Sequence, residues 1–116
     1  MHNHEIGKRG ELLAQKYLKG VGYEIIEANY RCRLGEIDII ASKDDYIVFI
    51  EVKTRRNNNY GFPYESVSVV KQEKIRKVAA YYLNANNLLQ RDCRFDVVSI
   101  EKNDMDYTCE IIQDAF

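Results

Sequence analysis

The chain has 116 residues, with 17 Lys+Arg against 18 Asp+Glu and a formal net charge of −1. That length suits one core, and a composition of 46% hydrophobic and 30% charged residues is that of a folded globular chain, which excludes a disordered or fibrous one. One Pro and 6 Gly exclude collagen-like and Pro-rich classes. Uninterrupted apolar runs such as Tyr46 to Ile50 fall far short of the ~20 residues of a membrane helix.

The opening Met-His-Asn-His-Glu carries no apolar stretch, so no secretory signal, no membrane association and a cytoplasmic location are expected. The charge is unevenly placed. Residues 51–77 hold 7 Lys/Arg against 3 Glu, and residues 101–116 hold 1 Lys against 5 acids. The near-neutral total excludes a histone-like coat for nucleic acid, but it allows a compact basic patch around one site. The plainer alternative is a solvated charged face. Cys32, Cys93 and Cys109 show no CxxC spacing and are odd in number, against both a zinc knuckle and a disulfide framework. His2 and His4 lie in a segment prone to fray, and the string His-Asn-His is read as coincidence.

Ile6, Leu13, Ala14, Tyr17, Leu18 and Val21 recur at helical spacing, which predicts a helix over 4–21 with Gly20 and Gly22 as stop signals. Residues 23–30 read as extended. Gly35–Ser42 and Tyr46–Thr54 read as two further strands, joined through Lys43-Asp44-Asp45 into an antiparallel hairpin. A polar loop is expected over 55–64. A second helix follows from about Val70 to Asn84, with an apolar face of Val70, Ile75, Val78, Ala79, Tyr82 and Leu83 and a separate basic face of Lys71, Lys74 and Lys77. Tyr81 and Tyr82 read as core or partly core. Strands over Arg94–Glu101 and Tyr107–Gln113 complete the order αβββαββ. A helix between the third and fourth strands permits a parallel crossover, so the fold class is α/β, a mixed sheet with flanking helices.

The third strand carries the strongest local signal. Tyr46–Ile50 is apolar on both faces and runs straight into Glu51-Val52-Lys53, where period-2 geometry puts Glu51 and Lys53 on one face. A carboxylate at the end of a buried strand is costly unless paired or bound to a metal. On the second strand, Glu36 and Asp38 share a face, and the hairpin sets Asp38 close to Glu51. Two carboxylates and an amine converging on one face suit a hard divalent cation such as Mg²⁺, which takes oxygen ligands at ~2.0–2.1 Å. Protonated Lys53 cannot ligate a metal, but it can orient a water or offset charge on a phosphate oxygen. The alternative is a plain Glu51–Lys53 ion pair.

Gly35-Glu36-Ile37-Asp38 followed by Glu51-Val52-Lys53 resembles the PD-(D/E)XK nuclease signature, and Gly7-Lys8-Arg9-Gly10-Glu11 resembles the acidic first helix of Holliday-junction resolvases. Taken together, residues 4–100 resemble the YraN-like family of predicted endonucleases. The resemblance implies a restriction-endonuclease-like fold, with residues 1–116 as a single endonuclease-like domain. It implies Asp38, Glu51, the Val52 carbonyl and Glu11 around Mg²⁺ or Mn²⁺, with Lys53 positioning the attacking water. Two features depart from the pattern. Ile37 stands where the motif's name has Pro, and Gln72 is followed four positions on by Arg76 rather than the Tyr of RecB-type relatives.

Arg31, Arg33, Arg55, Arg56, Lys71 and Lys74 are candidates for phosphate contacts, and Tyr60, Phe62 and Tyr64 for base stacking. The sequence reading is a metal-dependent endonuclease hydrolysing phosphodiester bonds of branched or structured DNA. A homodimer fits it, because a junction offers two symmetry-related strands. The rivals are a non-catalytic nucleic-acid-binding module of the same fold, a nucleotidyltransferase and a plain α/β interaction protein. A nucleotidyltransferase needs a Gly-Ser phosphate loop upstream, which the sequence lacks.

Overall fold

The computed structural model describes residues 2–56 and 67–116, and their side chains over 8–55 and 67–116. The elements run α1 (His2–Gly20), β1 (Glu24–Cys32), β2 (Gly35–Lys43), β3 (Tyr46–Arg56), α2 (Val69–Ala85), β4 (Cys93–Lys102) and β5 (Tyr107–Ile112). Among the described residues these five strands form one mixed sheet in the spatial order β1-β2-β3-β4-β5. All pairs are antiparallel except β3–β4, which is parallel and is joined through α2. The α/β order read from the sequence is the observed one. No helix among the described residues is long and apolar enough to cross a membrane.

Alternation along the central strands builds two cores. Ile47, Phe49, Phe95 and Val97 face α2 through Ile75, Val78, Ala79, Tyr82 and Leu83. Val48, Ile50, Val98 and Ile100 face α1 through Ala14 and Leu18. One helix therefore covers each face, and β3 is buried from both sides, which is why it reads as a continuous apolar run.

Local chemistry fixes the boundaries. Gly22 sits at φ 97, where a Cβ is disfavoured, and its N–H donates to the Lys19 carbonyl while that of Tyr23 donates to Leu18. This glycine-capped end satisfies the last carbonyls of α1. It also turns Val21 outward, so the expected apolar stripe stops at Leu18. The β2–β3 connection is two residues, one shorter than expected: Lys43 pairs with Tyr46, and Asp44 and Asp45 take φ 50 and 70. Two positive φ values are what a tight hairpin compatible with strand twist demands. Tyr82 is buried in the core, whereas Tyr81 is exposed, because only the former lies on the stripe with Ile75 and Val78. Residues 55 and 56, read as loop, belong to β3, which continues through Arg56; the rest of the expected loop, with Tyr60, Phe62 and Tyr64, lies outside the described residues.

Gly10 marks the closest approach of α1 to β3, because a Cβ there would collide with the Thr54 side chain. Ala is ordinarily better than Gly inside a helix by about 1 kcal/mol. Here the sign inverts. Thr54 is β-branched and stiff at χ1, so its side chain makes room only at a cost. Gly10→Ala is expected to destabilise the fold by about 1–3 kcal/mol, read as a lowered denaturant midpoint at unchanged slope.

Candidate functional site

The β2–β3 ladder closes from the hairpin up to Ile39↔Ile50 and then opens. The next residues along the two strands are Asp38 and Glu51, and Glu51 lies on the α2 face, where Lys71 reaches it. Across the other edge of β2, β1 also departs from extended geometry, at Asn29 with φ 55, between the partners of Ile37 and Ile39. In the opening, the Val52 N–H donates to Asp38 Oδ2 at 2.8 Å, so a side chain replaces the missing ladder partner. A three-residue link through Lys43-Asp44-Asp45 would set Asp38 beside Ile50. The two-residue turn moves it one step further along, face to face with Glu51.

Glu51 is 5% exposed. Its carboxylate lies within hydrogen-bonding reach of the Asp38 carboxyl. Burial, together with the hydrogen bond and charge of Glu51, pushes the Asp38 carboxyl up to about 8, against the lowering effect of the Val52 N–H. The Glu11 charge adds to the rise, which places Glu11 near the pair. That placement follows from the preceding glycine, which lets α1 press against β3. Glu11 still stands back from the pair. Among the described residues, no three His, Cys, Asp or Glu side chains gather closely enough to hold a cation by themselves.

Two ammonium groups serve one Glu51 oxygen. Lys53 Nζ lies 3.6 Å from Oε2, as strand alternation predicts. Lys71 Nζ makes a closer ion pair with the same oxygen. Burial lowers the Lys53 pKa and the neighbouring Lys71 charge acts the same way, with Glu51 opposing. Burial would lower Lys71 too, but the hydrogen bond and charge of Glu51 outweigh it and raise its pKa.

The sequence reading puts Lys71 with Lys74 and Lys77 on a basic face separate from the apolar one. The structure instead puts it at the head of the stripe Lys71, Ile75, Val78, Tyr82 that faces the sheet. Its spacing from Ile75 and Val78 was the available signal. Lys74 is exposed, as expected. Arg31 pairs with Glu36 at 3.1 Å across β1 and β2, so Glu36 belongs to that surface pair. Arg33 is exposed in the adjoining turn, where Gly35 packs against Val78 of α2. Arg55 follows Glu51 and Lys53 on the same face of β3. The Arg56 side chain lies outside the described ones.

Asp38 and Glu51 offer carboxylate oxygens here, and the Val52 carbonyl that the resemblance implies would add a third oxygen. A hard cation of the Mg²⁺ or Mn²⁺ kind fits that set, and a soft one does not. The raised Asp38 carboxyl points the same way, since two facing carboxylates cannot both ionise cheaply without a positive charge between them.

A second polar cluster went unread in the sequence. Asp96 of β4 is 0% exposed on the α1 face. It accepts from Tyr23 Oη at 2.8 Å, from Arg94 Nε and a terminal guanidinium nitrogen at 2.9 Å each, and from the Asp114 N–H at 2.9 Å. The Tyr23 hydroxyl accepts in turn from Arg94 and Gln113. Burial is the main cause that takes its pKa up to about 12, so it remains a donor to Asp96.

A model of the uncharacterised protein family UPF0102 matches residues 10–100. A UPF0102 protein of Syntrophus aciditrophicus (strain SB) is 47% identical over 114 residues, covering 98% of this chain and 90% of the relative. One from Clostridioides difficile (strain 630) is 50% identical over 100 residues, covering 86% and 88%. One from Caldicellulosiruptor saccharolyticus is 42% identical over 118 aligned positions, covering 100% of each. With matches of this extent, the chain belongs to the uncharacterised protein family UPF0102.

Proposed function

We propose that the chain is a divalent-metal-dependent endonuclease that hydrolyses phosphodiester bonds of branched or structured DNA in the cytoplasm. The observation that carries this reading is the facing pair Asp38 and Glu51 at the point where the β2–β3 ladder opens, with Lys53 on the same face. Asp38, Glu51 and the Val52 carbonyl would hold Mg²⁺ or Mn²⁺, with Glu11 behind them as a further acidic contact. Such an ion supplies activation of water and neutralisation of charge on phosphate oxygens.

The chain's own groups do the rest. The Val52 N–H fixes the Asp38 carboxylate, and the buried strand fixes Glu51. Lys53 holds the attacking water in line with the phosphorus. Its lowered pKa brings the free amine, the form that accepts the water's proton, closer to neutral pH. Arg31, Arg33, Arg55 and Lys74 supply phosphate contacts. One chain presents one such site, so a symmetric junction calls for a second copy.

A panel of linear, nicked, forked and four-way DNA tests the reading. Wild type should cleave a branched member only with Mg²⁺ or Mn²⁺, and Lys53→Ala should lower the rate about 100-fold with a smaller effect on metal affinity. Binding without cleavage of any member would favour the non-catalytic module. Charge reversal at Arg55 should weaken DNA affinity and flatten its salt dependence by about one counterion per lost phosphate contact. Unchanged affinity and slope in a folded variant would take the end of β3 off the DNA path.

A further inference from the structure

We propose that Lys71 is a tethered counter-ion: it holds Glu51 when no divalent cation is bound, and a cation must displace it to reach the same oxygen. The proposal rests on the metal-site reading above and adds to it what governs metal entry.

Glu51 has almost no access to solvent, so its charge must be met by a cation from the protein or from solution. Lys71 meets it at Oε2, with Lys53 on the same atom at 3.6 Å. The two lysines are not equivalent. Lys53 is anchored on β3 and its side chain is 26% exposed, whereas that of Lys71 is 46% exposed and approaches from outside the sheet.

The backbone beneath Lys71 is held firmly. Its N–H donates to the Ser68 side chain at 3.1 Å, and Gln72 Nε2 donates to the Val67 carbonyl at 3.0 Å. Motion is therefore left to the side chain, which can leave Glu51 without moving α2. Its position is also unfavourable in its own right. The first turn of a helix disfavours a cation, and this turn holds no acidic residue to compensate. Glu51 is what keeps the ammonium there. A dication and an ammonium on one carboxylate oxygen repel each other strongly at such separations, so the two occupy it in turn.

The test is Mn²⁺ binding to DNA-free protein, measured by titration calorimetry for wild type, Lys71→Met, Lys71→Gln and Lys77→Met, with metal-free thermal midpoints for each. Both Lys71 variants should bind Mn²⁺ about tenfold tighter than wild type, because a competing charge is gone. Their metal-free midpoints should fall, because Glu51 loses its nearest partner. Lys77→Met, at an exposed position, should match wild type in both. A residue that merely supports the site would lower the midpoint without tightening metal binding. Lys71 variants that bind Mn²⁺ no tighter than wild type overturn the counter-ion role while the metal site stands. No Mn²⁺ uptake by any of the four proteins overturns the metal site itself, and the counter-ion role with it.

Discussion

Asp38→Asn is expected to lower DNA cleavage by at least about 1000-fold while raising the stability of the metal-free protein by roughly 1–2 kcal/mol at pH 8. The two effects share one cause. In wild type, Asp38 faces Glu51 in a buried setting, and its folded pKa of about 8 stands above the ordinary 3.8. A raised folded pKa means that its stabilising contribution is complete below about 4 and is lost as pH rises through about 8. Metal-free wild type should therefore weaken across that window. Asn keeps the acceptor for the Val52 N–H and donates to Glu51 without a titrating proton, so the variant's profile should be flatter. Mn²⁺ at about 100 times its Kd should add ~2.7 kcal/mol to wild type and nothing comparable to the variant. DNA affinity should hold or tighten, since a negative charge near the phosphates is gone. Thermal midpoints across pH 5–8, with and without Mn²⁺, check each part. A variant that is less stable than wild type at pH 8 would contradict the strained pair.

Asp96→Ala is expected to cost about 3–5 kcal/mol. Four donor contacts converge on this carboxylate, and its removal leaves the Arg94 charge half-buried and the Tyr23 hydroxyl without its acceptor. The damage spreads along the chain. The same cluster ties the start of β1, through Tyr23, to the C-terminal segment, through Gln113 and Asp114, where the Ala115 N–H donates to the Phe95 carbonyl and Phe116 stacks on Phe95. For a domain of this size the loss corresponds to a fall of about 10–20 °C in thermal midpoint. An apolar double replacement, Arg94→Met with Asp96→Leu, should recover much of it, because no unpaired charge remains. A fall below about 1 kcal/mol for Asp96→Ala would mean that water replaces the lost partners and the cluster is not sealed.

The elements that were legible in the sequence are those with a local signature. The Tyr46–Ile50 run marks a strand buried on both faces, Ile75, Val78 and Tyr82 mark one face of a helix, and Gly22 and Asp44-Asp45 mark turns that require positive φ. The central trio of the site was legible for the same reason: Glu51 and Lys53 are two apart on one strand, and Asp38 is one hairpin away. What stayed hidden depends on contacts distant in sequence. Asp96 sits 73 residues from Tyr23 and 18 from Asp114, and nothing local in Arg94-Phe95-Asp96 announces them. Lys71 was misassigned because its charge was weighed above its helical position, and position put it over the sheet. Tyr81 was misplaced beside Tyr82 because adjacent helical residues point about 100° apart.

The most direct measurement is single-turnover cleavage of a four-way DNA junction by wild type and Asp38→Asn, purified side by side and assayed with Mg²⁺, with Mn²⁺ and with chelator. The Asp38–Glu51 site predicts metal-dependent cleavage by wild type that chelator abolishes and Asp38→Asn lacks, at equal or tighter junction binding. Cleavage retained by Asp38→Asn would contradict it.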